Sequence, residues 1–253
     1  MRALAAMIFA TTSLIGCAVG EEEDGIDQIQ DDEGTEVIGG APDYGDPAVG
    51  MLRFVTKFDP ATGRAVSFNQ CTGTLVTPQI MVTAAHCRNP SALWSDVTFA
   101  QAPDMFAPHL AAGYTDGKII NSPLWTGNLA AGHDIAVFIL AKPVARPVAA
   151  RGPTPADGSY VRAIGYGNTT FAQTGSGTKR HISIKVNNIE AHVFGAGYEA
   201  HNVCHGDSGG PTVQNGRIVG VNDYVDTPDC HGGGHFTRLD DNLPFLRTYV
   251  PGF

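Results

Sequence analysis

The chain has 253 residues, 43% of them hydrophobic and 16% charged, a balance that excludes a disordered or membrane-spanning protein. Its net charge of −9 is unevenly placed. Residues 1–36 hold nine of the 25 acidic residues and one of the 16 basic ones, so the remainder is close to neutral and offers no basic surface for nucleic acid.

In chain order, Arg2 and the apolar run Ala3–Ala10 read as an export signal, too short to span a bilayer permanently. Leu14-Ile15-Gly16-Cys17 resembles the bacterial lipoprotein box, in which the cysteine is lipidated and becomes the new N-terminus. Cleavage near Ala18-Val19-Gly20 is the alternative. Residues 1–17 are thus expected to be a signal peptide and the acidic residues 18–36 a self-repelling tether or propeptide. The expected location is outside the cytosol, either secreted or as a periplasmic or outer-membrane lipoprotein.

Short β-rich runs follow. Met51–Phe58 and Arg64–Phe68 flank a hairpin connection at Asp59-Pro60-Ala61-Thr62-Gly63. Residues 72–77, 80–83, 97–100, 118–120 and 135–140 continue the series up to a Pro-rich stretch at 142–158. Strand-like runs resume at 160–164, 181–189, 212–214, 217–221 and 235–239. Residues 242–250 suit a short helix with Asn242 capping and Pro244 in its first turn. The pattern predicts an all-β chain in two halves meeting near residue 145. Setting Cys17 apart leaves four cysteines, Cys71, Cys87, Cys204 and Cys230. An even number in an oxidising compartment suggests two disulfides, with three pairings open. No CxxC spacing points to metal.

Three local signals carry chemistry. Gly206-Asp207-Ser208-Gly209-Gly210-Pro211 surrounds a serine with glycines that let backbone N–H groups turn towards one point. Thr83-Ala84-Ala85-His86-Cys87 fixes a histidine after a strand, as a general base requires. Asp134-Ile135-Ala136-Val137 places an acid at the mouth of an apolar strand, where it could orient an imidazole.

Together with Val37-Ile38-Gly39-Gly40 and Gly165-Tyr166-Gly167, these motifs make residues 37–253 resemble the trypsin-like, chymotrypsin-fold serine peptidases. The resemblance implies two packed six-stranded antiparallel β-barrels with a short C-terminal helix. It implies a serine endopeptidase with His86 as base, Asp134 as orienter and Ser208 as nucleophile, and with the N–H groups of Gly206 and Ser208 as oxyanion hole. It also pairs Cys71 with Cys87 and Cys204 with Cys230, each bridge closing a loop for about 3 kcal/mol. Cleavage before Val37 would free an amine that pairs with Asp207 and switches a zymogen on. Glu36 stands before that cut, so the activating protease would not be trypsin-specific.

Other positions depart from the family. Asn202, at the base of the specificity pocket, replaces the Asp of trypsin-type enzymes. Val225 would narrow the pocket lip and Gly234 leave the opposite wall open, so a neutral, medium-sized preference is expected. Tyr224 keeps an aromatic wall. Asp223 stands where a Ser is usual, close to the triad Asp. Joint ionisation would be disfavoured there, so the side chain points away, the local alignment slips, or activity suffers. The last case would leave a catalytically impaired homologue acting as a binding protein. An α/β-hydrolase reading of G-x-S-x-G fails because His231-Gly232-Gly233-Gly234 follows the serine instead of preceding it. The expected partners are protein or peptide substrates, an activating protease and, through Cys17, membrane lipid. No cofactor or metal is expected. His231 and His235, spaced as a metal pair could be, are not expected to bind an ion on a Gly-rich loop; His109, His181, His192, His201 and His205 are expected at the surface, and the chain is expected to be a monomer.

Overall fold

The computed structural model describes residues 38–99, 108, 114–198 and 201–253. The expected signal, the acidic tether, Cys17 and Val37 lie outside the described residues. Among the described residues no helix is long and apolar enough to cross a membrane.

A two-residue strand, β1 (Ala41–Pro42), precedes β2 (Val49–Phe58), β3 (Ala65–Thr77), β4 (Ile80–Thr83), β5 (Trp94–Thr98), β6 (Tyr114–Asn121) and β7 (Ala136–Leu140). The last six close a barrel in the order β2-β3-β4-β7-β6-β5, because β2 pairs with both β3 and β5. The second half contains β8 (Tyr160–Gly165), β9 (Arg180–Ile189), β10 (Val193–Ala196), β11 (Pro211–Gln214), β12 (Arg217–Val225) and β13 (Gly234–Arg238). These run β8-β9-β10-β13-β12-β11 and return to β8, a second closed six-stranded barrel with β1 added along β9. The chain ends in α1 (Leu243–Tyr249). The all-β expectation of two antiparallel barrels and one short helix holds.

Local chemistry accounts for these elements. In β9, Ile182, Ile184 and Val186 are buried while Ser183, Lys185 and Asn187 face out, the period of two expected of a half-buried strand. The β2–β3 turn is built by Asp59, whose carboxylate accepts the Ala61 N–H at 2.8 Å, while Gly63 takes φ 68°. β2 is instead buried on both faces from Val49 to Val55. That stretch includes Arg53, which lies opposite Asp96 of β5 and donates to both of its carboxylate oxygens at 2.9 and 2.7 Å. The guanidinium also stacks 4.2 Å from the Tyr114 ring.

Each barrel has its own apolar filling. Met51, Leu52, Phe54, Leu75, Met81 and Phe138 fill the first, and Val161, Ile182, Ile184, Phe194, Val219 and Phe236 the second. Each such side chain contributes about 1.5–3 kcal/mol by leaving water. Phe245 and Leu246 of α1 join the first cluster, as do Ile164, Tyr166 and Val221 of the second half. The Pro-rich link is stitched to both barrels, with Ala149 N–H donating to Leu75 and Gly152 N–H to Ile218. One local expectation fails. Asn242 makes no side-chain cap; its amide donates to the Arg238 carbonyl at 2.8 Å, drawn by the 3₁₀ turn Asp240–Asn242 that precedes the helix.

Candidate active site

β4 runs into Ala84 and Ala85, both buried, and a 3₁₀ turn at Ala85–Cys87 then presents His86. The turn is anchored twice. Cys87 is bonded to Cys71 of β3, and the Asn121 amide donates to the Ala85 carbonyl at 3.0 Å. Asp134, just before β7, is fully buried. One of its carboxylate oxygens accepts the backbone N–H of His86 at 2.7 Å, and the other faces His86 Nδ1 in a short contact. Burial acts to raise the Asp134 pKa, but the His86 hydrogen bonds and charge, with a further bond from Asp223, hold it below the ordinary carboxylate value. An imidazole held through Nδ1 has Nε2 left for chemistry.

The loop from Gly206 to Gly210 enters β11 from the second barrel. Asp207 is buried and accepts N–H groups from Gly167 at 2.7 Å and Cys204 at 2.8 Å. Burial pushes its pKa up to about 6 against the pull of those donors. The N–H groups of Asp207, Gly209 and Gly210 are taken up by carbonyls of Cys204, Asn222 and Asp207. Among the described residues, those of Gly206 and Ser208 meet no acceptor. Gly206 has φ 98°, and a Cβ there would lie 2.9 Å from the Gly167 Cα, so the residue must be glycine. The second disulfide, Cys204–Cys230, ties this loop to the segment ahead of β13.

The two halves of the site meet through Thr72 of β3. Its N–H donates to the Ser208 carbonyl at 2.8 Å and its hydroxyl to the Gly206 carbonyl at 2.9 Å, while the hydroxyl accepts from Tyr166 N–H at 3.1 Å. His86 and Ser208 consequently line one open cleft of about 550 Å³, together with Phe68, Gln70, Arg88 and His205. A ring nitrogen, a hydroxyl and two N–H groups without acceptors are the parts needed for acyl transfer.

The expected specificity positions fall in two places. Asn202 is fully buried; its amide donates to the Gly232 carbonyl and its oxygen accepts the Val203 N–H at 2.8 Å. Val225 packs against the clusters that hold Val203 and the Cys204–Cys230 bridge. A Cβ on Gly234 would lie 2.6 Å from the Asn202 oxygen, so this glycine lets the amide approach. Tyr224 stacks face to face on His235 at 4.2 Å. Asp223 sits apart from these. The pairing of β12 with β13 slips between Asn222 and Tyr224, and this irregularity turns Asp223 inward. The residue is 3% exposed and is not among those lining the cleft. The Thr237 hydroxyl donates to its Oδ2 at 2.8 Å, and no N–H or hydroxyl of another residue reaches the buried Oδ1, which leaves Asp223 to interact with Asp134. Asp223, Asp134 and His86 lie with polar atoms within 4.8 Å of one another. Burial and then the Asp134 carboxylate push the Asp223 pKa up to about 10, which favours the protonated acid beside an ionised Asp134.

None of Thr72, Asn121 and Thr237 carries a motif. Their parts depend on neighbours far away in sequence, as in the bond from Thr72 to Gly206, 134 positions apart.

Comparison with known proteins agrees with this geometry. The chain is 26% identical over 183 residues to Trypsin alpha-4 of Lucilia cuprina, covering 60% of this chain and 66% of that protein. It is 24% identical over 210 residues to Thrombin-like enzyme elegaxobin-1 of Protobothrops elegans, covering 72% and 87%. It is 25% identical over 236 residues to Thrombin-like enzyme acutin of Deinagkistrodon acutus, covering 79% and 91%. Residues 50–246 match the family model described as Trypsin. With both barrels and the cleft between them inside that match, the chain belongs to the trypsin family.

Proposed function

We propose that the protein is a serine endopeptidase acting through an acyl-enzyme. The observation that carries this reading is the double hold of Asp134 on His86, at Nδ1 and at the backbone N–H, with Ser208 on the same cleft. Ser208 Oγ attacks the scissile carbonyl and His86 takes its proton. Asp134 keeps the imidazole in the tautomer whose Nε2 is free to accept and stabilises the imidazolium. The N–H groups of Gly206 and Ser208 receive the oxyanion. Neutral Asp223 supplies Asp134 with a hydrogen bond, as a hydroxyl would, without adding a second charge.

The specificity wall of Asn202, Val225 and Gly234 contains no charged side chain, and Asn202 is already engaged. The reading is therefore cleavage after small or medium uncharged residues of protein or peptide substrates. Activation follows removal of residues before Val37. Ile38 supports this part: it is buried beside Cys204 and Cys230, and its carbonyl accepts the Asn202 N–H at 3.1 Å. The Cys204 loop on which Ile38 packs also holds Asp207, a buried carboxyl that would gain from the cation a cut before Val37 releases. The organisation we infer is an export signal at 1–17, an acidic tether at 18–36 and the peptidase at 37–253. Two disulfides fit an oxidising compartment, and lipidation of Cys17 would hold the enzyme on a membrane by its tether.

The test is reaction of the processed protein with a fluorophosphonate, read by peptide mass mapping. Stoichiometric labelling at Ser208, abolished in Ser208→Ala, is the expected result. A folded, processed protein that takes up no label would end the proposal.

A further inference from the structure

Away from the cleft, two histidines and an acid from three separate segments converge. His133 stands in the turn before β7, His192 in the turn between β9 and β10, and Asp241 in the 3₁₀ turn ahead of α1. Asp241 Oδ2 lies 2.7 Å from His192 Nδ1 and 3.3 Å from His133 Nδ1. The side-chain carbonyl of Asn242 is 3.0 Å from His133 Nδ1. The two imidazole centroids are 4.4 Å apart.

The backbone is shaped to bring these groups together. Gly132 and His133 both take left-handed conformations, φ 72° and 59°. A Cβ on Gly132 would stand 2.3 Å from the His192 Cβ, so only glycine allows the His192 side chain this close. Backbone bonds fix the segments around the cluster: Ile135 N–H donates to the His133 carbonyl at 2.8 Å and Arg238 N–H to the His192 carbonyl at 3.0 Å. Arg238, the nearby cation, grips Asp240 with two nitrogens at 3.0 and 2.7 Å, which leaves the Asp241 carboxylate to the histidines. The side chains remain reachable from solvent, His192 at 43%, Asp241 at 28% and His133 at 17% exposure.

We propose that His133, His192 and Asp241 form a surface site for one first-row divalent ion of the zinc type, with the Asn242 carbonyl in reach as a fourth donor. Imidazole nitrogen with carboxylate oxygen is the donor set such ions take. With metal–nitrogen distances near 2.0 Å, a tetrahedral site has ligand-to-ligand edges of about 3.3 Å. Three of the edges, at 2.7, 3.0 and 3.3 Å, reach this with sub-ångström adjustment, and the His133, His192 and Asp241 ligand atoms all lie within 4.8 Å of one another. An ion here would cross-link the first barrel, the second barrel and the C-terminal segment. It would also brace the turn whose next residue is Asp134, so its occupancy would be felt in turnover if the peptidase reading holds. Binding itself is independent of that reading.

The test uses the full chain after chelator treatment, titrated with cobalt(II) and then zinc(II). One equivalent of cobalt is expected to give the visible absorption of a tetrahedral site, displaced by zinc. His192→Ala and Asp241→Ala are each expected to weaken binding by about tenfold or more, whereas His231→Ala, at another surface histidine, leaves it unchanged. Because a variant can fail by misfolding, zinc protection of His133 and His192 against diethyl pyrocarbonate is also read in the unaltered chain by mass mapping. Absence of saturable binding, binding that survives in both ligand variants, or absence of protection at these two histidines would overturn the site. A hydrogen-bonded His–Asp–His cluster that takes no metal would give the first and third results.

Discussion

Replacing Asp223 by Ala should cost the enzyme activity because it strips one of the hydrogen bonds on Asp134. That carboxylate is buried and is held by His86 Nδ1 and by the His86 N–H at 2.7 Å, and in the proposed mechanism also by a proton on Asp223. A hydrogen bond to a charged, buried group contributes about 1.5–3 kcal/mol. At about 1.4 kcal/mol per decade, its loss from the transition state lowers kcat/KM by roughly 10- to 100-fold. Asp223→Asn and Asp223→Ser both retain a donor and should recover most of this loss. Steady-state kinetics against pH adds a sharper criterion. The acid limb of kcat/KM reports protonation of the imidazole. If Asp223 is neutral at pH 7, exchanging it for Asn leaves that limb in place. If it is ionised, removing its charge moves the limb to lower pH. A shifted limb in Asp223→Asn, or Asp223→Ala at full activity, would refute the neutral-donor argument.

The same group sets a pH dependence of stability. Its pKa is about 10 in the folded chain against an ordinary carboxyl value of 3.8, so the folded state binds the extra proton and Asp223 costs stability as pH rises from about 4 to 10. The urea midpoint of Asp223→Asn should therefore gain on that of the parent from pH 5 to pH 9. Asp96→Ala should destabilise the first barrel by about 3–5 kcal/mol by leaving the buried Arg53 charge without its carboxylate, visible as a lower urea midpoint. Val225→Gly should shift preference towards larger uncharged side chains, measured with a peptide library; an unchanged profile would show that Val225 does not bound the pocket. Protein beginning at Val37 should be far more active than the uncleaved chain, and equal activity of the two forms would remove the zymogen assignment.

What the sequence made legible was what is contiguous. The loops bearing His86, Asp134 and Ser208 announce themselves because each needs a particular local backbone, which a few neighbouring residues specify. Asp223 was visible as an anomaly, but its environment was not. The slip between β12 and β13 and the hydroxyl of Thr237 come from across the sheet. β10 escaped notice because Val193–Ala196 is buried throughout and shows no alternation. β3 read as two runs because Asn69, Gln70 and Cys71 interrupt its apolar pattern, although pairing with β2 carries it through. Asn242 looked like a cap, yet its amide found a carbonyl four residues earlier. The cluster at Asp241 could not be seen at all, since the nearer of its two histidines, His192, is 49 positions away in the chain.

The bonds from Thr72 to the carbonyls of Gly206 and Ser208 have a consequence for the life of the chain before it is fully folded. The proposed base belongs to one barrel and the proposed nucleophile to the other, and the nucleophile's loop takes part of its shape from the barrel that carries the base. A chain with one barrel formed, or with the two drawn apart, holds no complete site. If the proposed peptidase activity holds, emerging or partly unfolded copies are harmless to their neighbours, and cutting power arises only with the last docking step, when the molecule is itself most resistant to being cut.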